Sequence, residues 1–104
     1  MGQPIATQDV NVHQMQAALI AEEYVEFMQA VENEPDENQL KELSDLVYVC
    51  FQYAVARGWP LDEALDRVFK SNMSKLVDGK PLRREDGKVL KGPNYAPPTL
   101  TDLL

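Results

Sequence analysis

Glu22, Glu23 and Glu26 lie within five residues of each other in an otherwise apolar stretch, LIAEEYVEFM, residues 19–28. Residues advance about 100° each around a helix, so with Glu22 at zero Glu23 falls near ~100° and Glu26 near ~40°. The three carboxylates therefore share one sector, beside the apolar stripe. After fifteen intervening residues come Glu42 and Asp45, spaced three apart, which share one side of a second helical stretch. Like charges at such spacing repel, and some hold a proton when left alone. A divalent cation removes that cost. Mg²⁺ takes oxygen ligands at about 2.0–2.1 Å in near-octahedral geometry and keeps positions for water or substrate. A set built only of carboxylates suits Mg²⁺ or Mn²⁺ rather than Zn²⁺. EExxE alone occurs on many solvated helices. Two acidic motifs on consecutive helices, each bordered by apolar residues, are the stronger signal.

The elements that must carry these groups are helical. Ile20, Tyr24, Phe27, Met28 and Val31 recur at three- and four-residue spacing and predict a helix over 10–32. Pro35 in NEPDEN interrupts it, and Asp36 is the expected N-cap of the next. That second helix is predicted over 37–57, with Gly58 as its stop and Pro60 just beyond. A third is predicted over 61–76, with acids near its start and lysines near its end, as the helix dipole favours. From residue 77 the texture changes. Asp78-Gly79 and Asp86-Gly87 are turn signals, and the pieces around Leu82 and Val89 suit a small hairpin. The expected fold is all-α: a single domain over 1–104, a short antiparallel helical bundle with a loose lead-in over 1–9 and an irregular C-terminal arm over 77–104.

The 104 residues suit one domain with a modest core, which a further helical partner would complete. The lone Cys50 lies in an apolar run, so no internal disulfide forms and a cytoplasmic setting is the expectation. A net charge of −7 argues against a nucleic-acid partner, and no apolar run approaches the roughly 20 residues that span a bilayer. The charge is uneven: residues 1–66 hold 13 acids and 2 bases, residues 67–104 hold 4 acids and 8 bases. An acidic body can hold cations, and a basic tail can approach the phosphates those cations carry.

The order EExxE (Glu22 to Glu26), fifteen residues, ExxD (Glu42 to Asp45) resembles the signature of the all-α nucleoside triphosphate pyrophosphohydrolases, specifically the MazG-like group. The resemblance runs on through SNMSK (Ser71 to Lys75) and DGKVLKGPNYAPP (Asp86 to Pro98) and covers roughly residues 15–100. It implies Mg²⁺-dependent hydrolysis of a nucleoside triphosphate to the monophosphate and pyrophosphate, in a nucleotide-housecleaning role. It implies Glu23, Glu26, Glu42 and Asp45 as metal ligands, with Glu22 binding a further metal or orienting the attacking water. Asn72 and Lys75 match substrate-contacting positions. Lys91 offers charge to the phosphates and Tyr95 a ring to the base, and both are counted with the substrate-binding residues. Relatives commonly place an arginine seven residues before the second glutamate of EExxE; here Gln16 stands there. The resemblance also implies a homodimer or homotetramer. The alternatives are a phosphoribosyl-ATP pyrophosphohydrolase of the same fold, or a non-enzymatic acidic interaction module.

Overall fold

A computed structural model describes residues 5–104, so the first four residues of the expected lead-in lie outside the described residues. The chain divides into two compact units, 1–59 and 60–104.

In the first unit, α1 spans Val10–Asn33 and α2 spans Asp36–Arg57. Only Glu34 and Pro35 separate them, a connection so short that the helices pack as antiparallel neighbours. Asp9 caps α1 by accepting a hydrogen bond from Asn11 N at 2.9 Å. At the other end Glu34 N still donates to Ala30 O at 2.9 Å, and Pro35, with no N–H, stops the ladder. Asp36 is not the N-cap that the sequence suggests. Pro35 holds that position in extended backbone, and Asp36 opens the helix itself. Its carboxylate then stands in the first turn with that of Glu37, where the macrodipole favours negative charge. Gly58 closes α2 at φ +74°, and Trp59 N reaches back to Ala54 O at 2.8 Å. That closure needs a left-handed residue, which glycine adopts without a Cβ penalty. Ala30, Val49, Ala54 and Ala56 are the buried apolar residues. Thr7 N donates to Ala56 O at 2.8 Å, which joins the segment before α1 to the end of α2.

In the second unit, α3 spans Leu61–Met73. It ends three residues before the periodicity suggests: from Ser74 on the backbone tightens to i→i−3 bonds, Ser74 N to Ser71 O, Lys75 N to Asn72 O and Leu76 N to Met73 O. Asp78 and Gly79 both take positive φ, and Val77 and Lys80 exchange backbone hydrogen bonds at 2.8 and 2.9 Å. This is the turn that an Asp-Gly pair selects. The expected hairpin forms from β1 (Leu82–Arg83) and β2 (Val89–Leu90), antiparallel, with Leu82 opposite Leu90. The arm beyond it is held along α3 rather than free. Ser71 Oγ donates to Ala96 O at 2.7 Å, and Ala96 N donates to Ser74 Oγ at 2.9 Å. Arg67 forks onto both carboxylate oxygens of Asp102 at 2.6 and 2.9 Å, and also reaches Glu63 and Thr99 O. Asp102 belongs to a short 3-10 turn, Thr101–Leu103, that the sequence reading does not foresee. Among the described residues the fold is thus mostly helical, with three helices, α1 antiparallel to α2, and one small C-terminal hairpin.

Candidate metal centre

Glu23 and Glu26 lie on α1 and Glu42 on α2, so two helices separated by a sharp reversal supply the acidic groups. One carboxylate oxygen from each lies within 4.8 Å of the others. Ligands on opposite sides of a Mg²⁺ ion stand about 4.2 Å apart, so small side-chain rotations suffice to bring these oxygens onto one ion. Glu23 Oε2 and Glu42 Oε2 are closed off from solvent, and among the described residues no group donates to either. Buried carboxylate oxygens without donors are costly, and a hard cation is the partner whose chemistry answers them. The donor set therefore fits Mg²⁺ or Mn²⁺.

Electrostatics agree with the geometry. Burial, and next the Glu26 carboxylate beside it, push the Glu23 carboxyl above its ordinary value, with smaller contributions from Asp45 and Glu42. Asp45 is close enough to be felt by Glu23, yet it is not among the three residues that share the tight set of oxygens. Its Oδ2 is 2.8 Å from Lys41 Nζ, and the same ammonium lies 3.3 Å from Glu42 Oε1. Lys41 carries no functional signal in the sequence beyond its i,i+4 spacing to Asp45.

The remaining α1 residues divide. Gln16 is buried at 8 % exposure, and its Oε1 also lacks a donor among the described residues. It falls two turns before Glu23 on nearly the same side of the helix. Glu22 is exposed and lines a shallow depression with Ala21, Val25 and Glu26.

The second unit gathers the basic and aromatic residues of the arm. Lys91 Nζ lies 4.9 Å and Lys75 Nζ 5.8 Å from the Tyr95 ring centre, so two ammonium groups approach one aromatic ring. Asn72 is exposed in the last turn of α3, and its backbone oxygen accepts from Lys75 N. Gly92 explains how the arm comes so close. Its N donates to Lys75 O at 3.1 Å, and a Cβ there would stand 2.6 Å from that same oxygen and 2.9 Å from Val77 Cγ2. Gly92→Ala is expected to push the arm off residues 75–77 and to destabilise the chain by about 1–3 kcal/mol, the usual cost of overpacking. Chemical denaturation measures the loss. A variant as stable as the wild type would show that the arm yields without cost.

These acidic positions fall inside the segment that comparison with known families identifies. Residues 3–72 match the family described as phosphoribosyl-ATP pyrophosphohydrolase. The match includes Gln16, Glu22, Glu23, Glu26, Glu42, Asp45 and Asn72, and stops before Lys75, Lys91 and Tyr95. No curated protein matches the chain. Two antiparallel helices that converge three carboxylates, over a match covering most of the sequence, place the chain in the phosphoribosyl-ATP pyrophosphohydrolase family, whose members act on a nucleotide and which belongs to the all-α NTP pyrophosphatase superfamily that includes MazG.

Proposed function

We propose that the chain is a Mg²⁺-dependent pyrophosphohydrolase that converts phosphoribosyl-ATP to phosphoribosyl-AMP and pyrophosphate. The observation that carries this reading is the convergence of Glu23, Glu26 and Glu42 from two helices, with two buried oxygens that no group among the described residues satisfies. The family description favours phosphoribosyl-ATP over the plain nucleoside triphosphate expected from the motifs, and favours hydrolysis over an acidic interaction module.

In the proposed reaction, water attacks the α-phosphorus, the bond from that phosphorus to the bridging oxygen breaks, and pyrophosphate leaves. Glu23, Glu26 and Glu42 would hold the cation, and Asp45 is the fourth candidate ligand. A bound divalent ion would offset the charge that builds on the phosphate oxygens and lower the pKa of nearby water. Glu22, exposed on the same turn of α1, is the carboxylate free to orient the attacking water and take its proton. Lys75 and Lys91 would meet the phosphates, Tyr95 would stack on the base, and Asn72 and Gln16 would make polar contacts to the nucleotide.

A second reading, hydrolysis of an ordinary or deoxy nucleoside triphosphate in nucleotide housecleaning, draws support from the arm. Lys75, Lys91 and Tyr95 lie beyond the matched segment, in the stretches whose wording resembles the MazG-like group. Both readings share bond cleavage and differ in what the ribose and base carry. Incubation of the full chain with Mg²⁺ and either phosphoribosyl-ATP or a panel of nucleoside triphosphates separates them. Pyrophosphate release with the highest kcat/KM on phosphoribosyl-ATP is expected. Higher kcat/KM on a deoxynucleotide supports the second reading. Release of single phosphate, or no turnover of any substrate, refutes both.

Self-association as a homodimer or homotetramer is part of the same proposal. Tyr24, Met28, Leu40, Leu43, Val47 and Tyr48 are 41 to 64 % exposed on α1 and α2. A second copy of this helix pair would cover such residues, and a standard interface needs on the order of 800 Å² from each partner.

A further inference from the structure

Lys41 stands out among the charged groups outside the proposed ligand set. The Lys70–Asp66 pair on α3 has the same one-turn spacing but joins one lysine to one carboxylate. Lys41 instead bridges two acids, Glu42 and Asp45, one of which belongs to the converging trio. Glu42 is divided between two environments. Its Oε1 faces the Lys41 ammonium at 3.3 Å, while its Oε2 is buried and without a donor among the described residues. Asp45 is divided otherwise: its Oδ2 is taken by Lys41 at 2.8 Å, and it stays outside the trio.

We propose that Lys41 is the resident counter-cation of the carboxylate cluster, holding Asp45 apart from Glu23, Glu26 and Glu42, so that its ammonium must withdraw before Asp45 can join them on a divalent ion. The inference rests on the metal reading of the site and adds a positioning residue to it. Four carboxylates on two adjacent helices raise the negative potential of the cluster, and one ammonium against two of them lowers it. An incoming dication meets that reduced potential and competes with the ammonium for Asp45. Lys41 is itself largely exposed, with 65 % of its side chain open to solvent, so it can move into water at little cost and its effect is limited to about tenfold.

Electron paramagnetic resonance of free Mn²⁺, titrated with the full chain and no substrate, tests this. Lys41→Gln is expected to bind Mn²⁺ about three- to tenfold more tightly than the wild type, and Lys41→Arg, which keeps the charge, to stay near the wild-type value. A merely structural role for Lys41 would change the melting temperature and leave Mn²⁺ affinity in place. Equal or weaker Mn²⁺ binding by Lys41→Gln overturns the inference while leaving the metal centre standing. Absence of Mn²⁺ binding by the wild type overturns the metal reading itself, and this inference with it.

Discussion

Glu23→Gln is expected to lower pyrophosphate release by at least about a hundredfold and, in the same protein, to raise the melting temperature of the metal-free form at neutral pH. The first effect follows from the proposed ligand role. Loss of a group that merely supports a metal ligand costs about 10–100-fold, so loss of a ligand costs more. The second follows from the cluster without an ion. Glu23 is pushed up by burial and by Glu26, which means that its charged form is held in the fold at a cost. Glutamine keeps the shape, removes that charge and donates a hydrogen bond to a neighbouring carboxylate. Function and stability then move in opposite directions, as expected where a site is built from repelling groups. Steady-state assays and thermal melts in chelator measure the two effects. Retained activity would remove Glu23 from the ligand set, and a lowered melting temperature would remove the repulsion.

The second large effect is the response to Mg²⁺ and its dependence on pH. At a Mg²⁺ concentration a hundred times its Kd, binding to the folded state alone adds about 2.7 kcal/mol. The increment is expected to grow as pH rises. The sign follows from linkage. Glu23 has a raised folded value, so between its ordinary value of 4.5 and that raised value the folded chain binds more protons than the unfolded one. The metal-free protein therefore loses stability as pH climbs through that interval and levels off above it. Mg²⁺ needs the deprotonated carboxylates, so it binds better over the same interval and offsets the loss. Asp86 and Asp102 act with the opposite sign. Arg84 and Arg67 hold them below the ordinary 3.8, so their contribution is present above that value and disappears as pH falls through their lowered values. The two regions are separated by comparing wild type with Glu23→Gln, which keeps the aspartate contribution and loses the Glu23 one. Melts from about pH 3 to about pH 8, which span the ordinary carboxylate values on both sides, in chelator and in Mg²⁺, provide the comparison. A Mg²⁺ increment that is the same at both ends of that range, or unchanged in Glu23→Gln, would contradict the proposed centre.

The chain determined by itself whatever depends on neighbours within a turn or two. Apolar spacing located three helices, Pro35 and Gly58 located their breaks, and Asp78-Gly79 located a tight turn. The sector shared by Glu23 and Glu26 is likewise a property of one helix and its pitch. Smaller local competitions were less legible: Pro35 rather than Asp36 took the cap, and α3 gave way at Ser74 to i→i−3 bonds. Only the tertiary structure decided the rest. It set Glu42, and not Asp45, in one tight set with Glu23 and Glu26 across two helices, although spacing alone treats Glu42 and Asp45 as equivalent. It also folded the arm along α3 through Ser71, Ser74 and Gly92, which brought Lys75 and Lys91 to one tyrosine ring. The physical reason is range. Helix phase and turn type arise from torsions and hydrogen bonds between near neighbours, whereas the convergence of carboxylates from two helices depends on packing between segments far apart in the chain.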